Sequence, residues 1–250
     1  MAGHSKWAQI KRQKAANDQA RGKLFSKLAR EITVAAREAG GDPNFNPRLR
    51  TAIENAKAQN MPNDNIDRAM KRGTGEIPGV SYESVTYEGY GPGGAALFLE
   101  CLTDNVRRTV AEIRHLLDKR GGNLGRDGSV AWMFERRGQI YVDAARYEEE
   151  EVLEAALLAG AEDMEREGDE YVIETAPTEF HAVQDAIRGQ GLEVEEAELA
   201  MVPSSTVKVE GREAVRLLAL VAALEEHEDV QKVYSNFDVE ERAWAAVEAP

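Results

Sequence analysis

A chain of 250 residues that is 42 % apolar and 30 % charged can build one large domain or two to three small ones. Its single cysteine excludes an intrachain disulfide, and no apolar run approaches the roughly 20 residues that span a bilayer. The net charge of −14 is polarised: residues 1–75 hold 15 Lys+Arg and 7 Asp+Glu (+8), and residues 76–250 hold the other 16 and 38 (−22).

The first segment, Met1–Lys23, is basic and poor in large apolar residues apart from Trp7 and Ile10. It lacks the apolar h-region of a secretory signal, so a cytoplasmic protein is expected. Helix signals follow. Leu24, Leu28, Ile32 and Ala35 recur at helical spacing, and Gly40-Gly41 ends the pattern. Asn46-Pro47 reads as N-cap and first helical residue of a second helix through Leu49, Ile53 and Ala56. Pro62-Asn63-Asp64 opens a third through Ile66 and Met70, closed by Gly73.

The period then changes. Ser84–Tyr87 and Ala95–Leu102 read as strands around the Gly-rich turn Gly89–Gly94, Asn105–Lys119 as a helix, and Ser129–Phe134 as a strand. A second α/β pattern follows: strand Ile140–Val142, helix Glu149–Leu158, hairpin Asp163–Glu167 with Tyr171–Glu174, helix Thr178–Arg188 and strand Leu192–Met201. That βαββαβ order is the ferredoxin-like motif. Thr206–Val209, Ala214–Glu225 and Val230–Phe237 then read as strand, helix, strand. One helix is too few to cover the sheet of 79–137, so the last segment is expected to complete it, with three domains in a simple row as the alternative. The expectation is an α+β protein: a basic helical domain over 1–78, a discontinuous α/β domain of 79–137 plus 205–240, an acidic ferredoxin-like insert over 138–204 and a tail over 241–250.

No catalytic constellation emerges. His4, His115, His181 and His227 are scattered without metal-ligand spacing, and His115 and His227 fall on predicted helices. Cys101 lies in an apolar strand and reads as a small buried residue. No P-loop, nucleophile elbow or HExxH pattern occurs. The expectation is no enzyme, no metal and no cofactor. The turn Gly89–Gly94 reads as a hairpin turn rather than a phosphate cradle, and the loop Gly121–Gly128 as either an RNA contact or a crossing of the sheet.

The head offers a different chemistry. Lysines and arginines neutralise phosphates, and a tryptophan stacks on unpaired bases. The candidate nucleic-acid-binding residues are His4, Ser5, Lys6, Trp7, Lys11, Arg12, Lys14, Arg21, Lys23 and Lys27, with Arg48 and Arg50 on the second helix. Arg48, Arg50, Asn55, Lys57 and Gln59 supply what a base-reading helix needs, although no helix-turn-helix spacing is evident. From the residues alone, merely solvated charges and a Trp7 packed on the helices stay open as the alternative.

The motifs Met1-Ala2-Gly3-His4-Ser5-Lys6-Trp7, Gly40-Gly41-Asp42-Pro43, Asn46-Pro47-Arg48-Leu49-Arg50, Tyr87–Gly94, Gly121–Gly125 and Asp127-Gly128-Ser129-Val130 resemble the YebC/PmpR family from Met1 to about Phe237. The resemblance implies a three-domain protein without enzymatic activity. Members are described as DNA-binding transcriptional regulators. The family also includes a mitochondrial translational activator, and bacterial relatives are linked to ribosomes stalled on proline-rich stretches. The partner is therefore expected to be DNA or ribosomal RNA, with the ribosome as host in the second case and no membrane. A protein-binding scaffold is the third reading. The oligomeric state is not legible in the sequence.

Overall fold

The computed structural model describes residues 18–240, which form two compact units. One comprises 18–27, 80–135 and 201–240, the other 28–79 and 136–200. Helix α1 (Asp18–Ala39) and strands β4 (Phe134–Asp143) and β7 (Val194–Pro203) contribute residues to both.

In the second unit, α1 is followed by α2 (Pro47–Ala58) and α3 (Asn63–Thr74). Asn46 joins the first two. Its Oδ1 accepts from Leu49 N at 3.0 Å as the N-cap of α2, and its Nδ2 donates to Ala35 O and Gly40 O, each at 2.8 Å. One buried amide thus satisfies an orphan donor of α2 and two carbonyls at the end of α1. Helix α3 does not close at Gly73. It runs on to Thr74 and is capped by Gly75. Gly73 instead marks the crossing with α1, where a Cβ would stand 2.5 Å from Thr33 O and 2.6 Å from Ala36 Cβ.

The rest of this unit is β4, α5 (Glu149–Ala159), β5 (Asp163–Glu167), β6 (Glu170–Thr175), α6 (Phe180–Gly189) and β7. The sheet order β5-β6-β4-β7 is that of the ferredoxin-like fold, with β6 antiparallel to both β4 and β5. Ile140, Val142, Val152, Tyr171, Ile173, Phe180 and Ile187 belong to its core. The helical segment shares this unit: on α2, Glu54 pairs with Arg188 of α6 and Asn55 bonds the backbone of Ala197 on β7.

The first unit holds a sheet of order β3-β1-β2-β9, built from β1 (Glu83–Tyr90), β2 (Ala96–Thr103), β3 (Asn123–Leu124) and β9 (Val230–Ser235). Helices α4 (Val106–Lys119) and α7 (Gly211–Glu225) pack on it. Ile113 and Leu117 of α4 and Leu217, Leu220, Val221 and Leu224 of α7 share one buried core with Leu97 and Leu99 of β2. The turn Gly91–Gly94 contains a 3-10 turn over Pro92–Gly94 and is closed by core side chains, Leu217 against Gly91 and Val209 against Gly93. It is a hairpin turn packed on the core.

Two expected strands differ. Ser129–Phe134 is not a strand: Ala131–Met133 forms a 3-10 turn, and β4 starts at Phe134. The amides of Gly128, Val130 and Ala131 are taken by the carboxylate of Glu88, so they do not enter a ladder. Val230–Phe237 is broken at Asn236. Its Oδ1 accepts from Ala96 N at 2.8 Å and its carbonyl from Val207 N at 2.8 Å. The chain there leaves its antiparallel partner β2, and β10 (Phe237–Val239) runs parallel to β8 (Val207–Val209).

The protein is thus α+β, a small helical part followed by two α/β parts, with the ferredoxin-like one inserted into the other. Among the described residues no helix is long and apolar enough to cross a membrane.

Candidate nucleic-acid interface

His4, Ser5, Lys6, Trp7, Lys11, Arg12 and Lys14 lie outside the described residues. Arg21 and Lys23 are exposed on the early turns of α1. Lys27 is half-buried, and its Nζ donates at 2.5 Å to the carbonyl of Glu225, the last residue of α7. An ammonium on the last carbonyls of a helix satisfies orphan acceptors and the negative end of the dipole.

On α2 the expected base-reading side chains meet partners within the protein. Arg48 binds Glu38 at 2.5 Å and lies 3.7 Å from Glu31. Arg50 lies 3.8 Å from Asp185. Asn55 Nδ2 donates to Ala197 O at 2.9 Å. Lys57 is exposed near the end of the helix. Sequence reasoning misses α3, where Arg68, Lys71 and Arg72 are exposed and make no ion pair among the described residues. Their i, i+3, i+4 spacing, opposite buried Ile66, Ala69 and Gly73, is the signal that identifies this face.

A second organised feature lies on the loop from Gly121 to Met133. Glu88, only 7 % exposed on β1, accepts from Gly128 N and Val130 N at 2.7 Å and from Ala131 N at 2.8 Å. Burial alone would raise its pKa. The amides of Val130, Gly128, Ala131 and Ser129 outweigh burial and hold the carboxyl below its usual range. Gly128 adopts φ +82°, which a side chain would strain. Tyr90 Oη donates to Ser129 O at 2.9 Å, and Trp132 Nε1 donates to the same carbonyl at 3.1 Å. Trp132 nevertheless stays 73 % exposed.

Glu112, His227 and Asp229 approach within 4.8 Å of one another, with His227 in the turn after α7 rather than on a helix. Asp229 Oδ2 already accepts from Arg108 Nη2 at 2.7 Å, Thr109 Oγ1 at 2.7 Å and Thr103 Oγ1 at 3.1 Å. A guanidinium at the ligating oxygen opposes a bound cation. The Cys101 thiol is buried, and burial with nearby Asp229 pushes its pKa up to about 12, so it is not a nucleophile at neutral pH.

The chain is 57 % identical over 242 residues to a probable transcriptional regulatory protein of Halothermothrix orenii, covering 96 % of each. It is 54 % identical to one of Acidithiobacillus ferrooxidans, covering 100 % of this chain and 99 % of that protein. The crystal structure of a conserved hypothetical protein from Aquifex aeolicus superposes with a TM-score of 0.85 at 48 % identity, over 90 % of this chain and 93 % of that one. Residues 5–76 match the model of the TACO1/YebC N-terminal domain and residues 82–237 that of the TACO1/YebC second and third domain, so the chain belongs to the TACO1/YebC family.

Proposed function

We propose that this protein is a non-catalytic regulator of gene expression that binds nucleic acid through its basic head and acts in the cytoplasm. The observation that carries the reading is the segregation of charge, +8 over residues 1–75 against −22 over the rest. Lysines and arginines bind nucleic acid by neutralising its phosphates and releasing the counterions condensed on them. Arg21, Lys23, Arg68, Lys71 and Arg72 extend the basic character of the head on exposed helix positions. The relatives' names, probable transcriptional regulatory proteins, support transcription as the process, and DNA is the target we infer from it.

A second reading takes ribosomal RNA as the target. It is favoured by the state of α2, where Arg48, Arg50 and Asn55 are engaged within the protein and a major-groove reading would have to break those contacts. Irregular RNA needs a basic arm and stacking aromatics instead.

Formaldehyde crosslinking in living cells, followed by sequencing of bound DNA and RNA in parallel, separates the two. Discrete promoter DNA supports transcription; a confined region of ribosomal RNA supports translation. Replacing Lys11, Arg12 and Lys14 together by alanine should weaken either signal while leaving the fold intact. Undiminished crosslinking in that variant overturns the role of the head, and a salt-insensitive association with protein alone returns the scaffold reading.

A further inference from the structure

We infer that the loop held by Glu88 is a second nucleic-acid subsite, in which Trp132 stacks on one unpaired base while Arg126 meets the adjoining phosphate; this rests on the nucleic-acid reading above. A tryptophan kept for packing would be buried, and this one is 73 % exposed. It is also held in place. Its Nε1–H is spent on Ser129 O, and the backbone beneath it is tied by Glu88 to Val130 and Ala131, by Met133 N to Val130 O at 2.8 Å, and by Ser204 N to Met133 O at 2.8 Å.

With its only donor used internally, the indole offers a ligand its π faces. A ligand recognised by face rather than by hydrogen bonds, and insensitive to sequence, is an unpaired nucleobase. A duplex presents no free face. Preorganisation matters here, because an aromatic already fixed loses little freedom when the base arrives.

Charge supplies the second argument. From Val106 to Arg137 the sequence has eight Lys+Arg and four Asp+Glu, a basic stretch inside a region that is otherwise strongly acidic. Arg126 is exposed and makes no ion pair among the described residues. Its carbonyl accepts from Ser129 N at 3.0 Å, so Ser129, which anchors the indole, also anchors the turn bearing the guanidinium. Asp127 is exposed on the same turn, which favours a single phosphate beside Arg126 over a long backbone track.

The test is fluorescence anisotropy with the full chain and three labelled 12-nucleotide probes at one salt concentration: oligouridylate RNA, the matching single-stranded DNA, and a duplex DNA. Trp132→Ala should weaken binding of the single-stranded RNA by about 5- to 150-fold, with Trp132→Phe losing much less and the duplex within about twofold of wild type. Over a salt series, Arg126→Gln should reduce the slope on RNA by about 0.7. An equal loss on single-stranded DNA supports the platform and names either strand as its ligand. Wild-type affinity of Trp132→Ala for RNA overturns the platform and leaves the head reading standing. An equal loss on the duplex also overturns it. Absence of salt-dependent binding of the wild type to all three probes overturns the nucleic-acid reading itself.

Discussion

Asn55 on α2 pairs with the backbone of Ala197 on β7 as a neighbouring strand would: Nδ2 donates to Ala197 O at 2.9 Å and Oδ1 accepts from Ala197 N at 3.4 Å. Strand β7 is an edge of its sheet, and edge backbone left open is a liability. Asn55→Ala removes both bonds at once and should lower stability by about 1–2 kcal/mol. Urea unfolding measures the loss, and hydrogen exchange at the Ala197 amide should accelerate. An unchanged midpoint and unchanged exchange would show that water replaces the side chain at no cost.

Asp229 is a different kind of joint. It is 2 % exposed and accepts from Arg108, Thr109 and Thr103, while its own carbonyl accepts from Leu102 N at 2.9 Å. Burial pushes its pKa up, but the bonds from Arg108 and Thr109 prevail and hold it below the ordinary carboxylate range. Asp229→Asn keeps the shape and loses the charge that makes those bonds strong. We expect a loss of roughly 1.5–3 kcal/mol by thermal or urea unfolding at neutral pH. A loss under about 0.5 kcal/mol would mean that desolvation cancels what the charge contributes.

These joints also show what the sequence can and cannot disclose. Asn46-Pro47 is readable as a helix start because the cap bonds a residue three positions on. The βαββαβ order is readable because each element carries its own periodicity. The Ser129–Phe134 segment looks like a strand because its residues suit one, and the carboxylate that redirects its amides sits far earlier in the chain at Glu88. Arg48 and Arg50 look available for the same reason, since Glu38, Glu31 and Asp185 become their partners only on folding. Trp132 falls inside the misread strand, so its exposure is not legible at all.

Glu88→Gln tests how far one carboxylate organises that loop. The amide keeps one acceptor oxygen and turns an NH2 toward backbone donors, so we expect a loss of about 1–3 kcal/mol and a change in Trp132 emission. Trp132 is isolated as a reporter by Trp7→Phe and Trp244→Phe. Because the folded pKa of Glu88 is depressed, its contribution is present above the unfolded carboxylate pKa of roughly 4.3 and is lost as pH falls through the lower folded value. The reporter should therefore change in acid in the Glu88 protein, and the step should be missing in the Gln variant. An identical acid profile in both would assign the transition to another group.

His181 gives a second loss on acidification, one that begins nearer neutral pH. It lies on α6, with Nδ1 3.3 Å from Thr51 Oγ1 of α2 and its ring 4.9 Å from that of Phe180. Burial lowers its pKa, and Arg50 lowers it further, while Asp185 and Glu54 pull it up. At neutral pH the folded protein therefore holds the ring neutral. Its contribution to stability is whole above the unfolded histidine pKa of roughly 6.5. It declines as pH falls below that value, because the unfolded chain takes up a proton that the folded one refuses until its own lower pKa is passed. Unfolding midpoints between about pH 7 and 5 should fall for the wild type and fall less steeply for His181→Gln, which cannot titrate but can still bond Thr51. Parallel slopes in the two proteins would remove His181 as the source of the acid sensitivity of the α2–α6 contact.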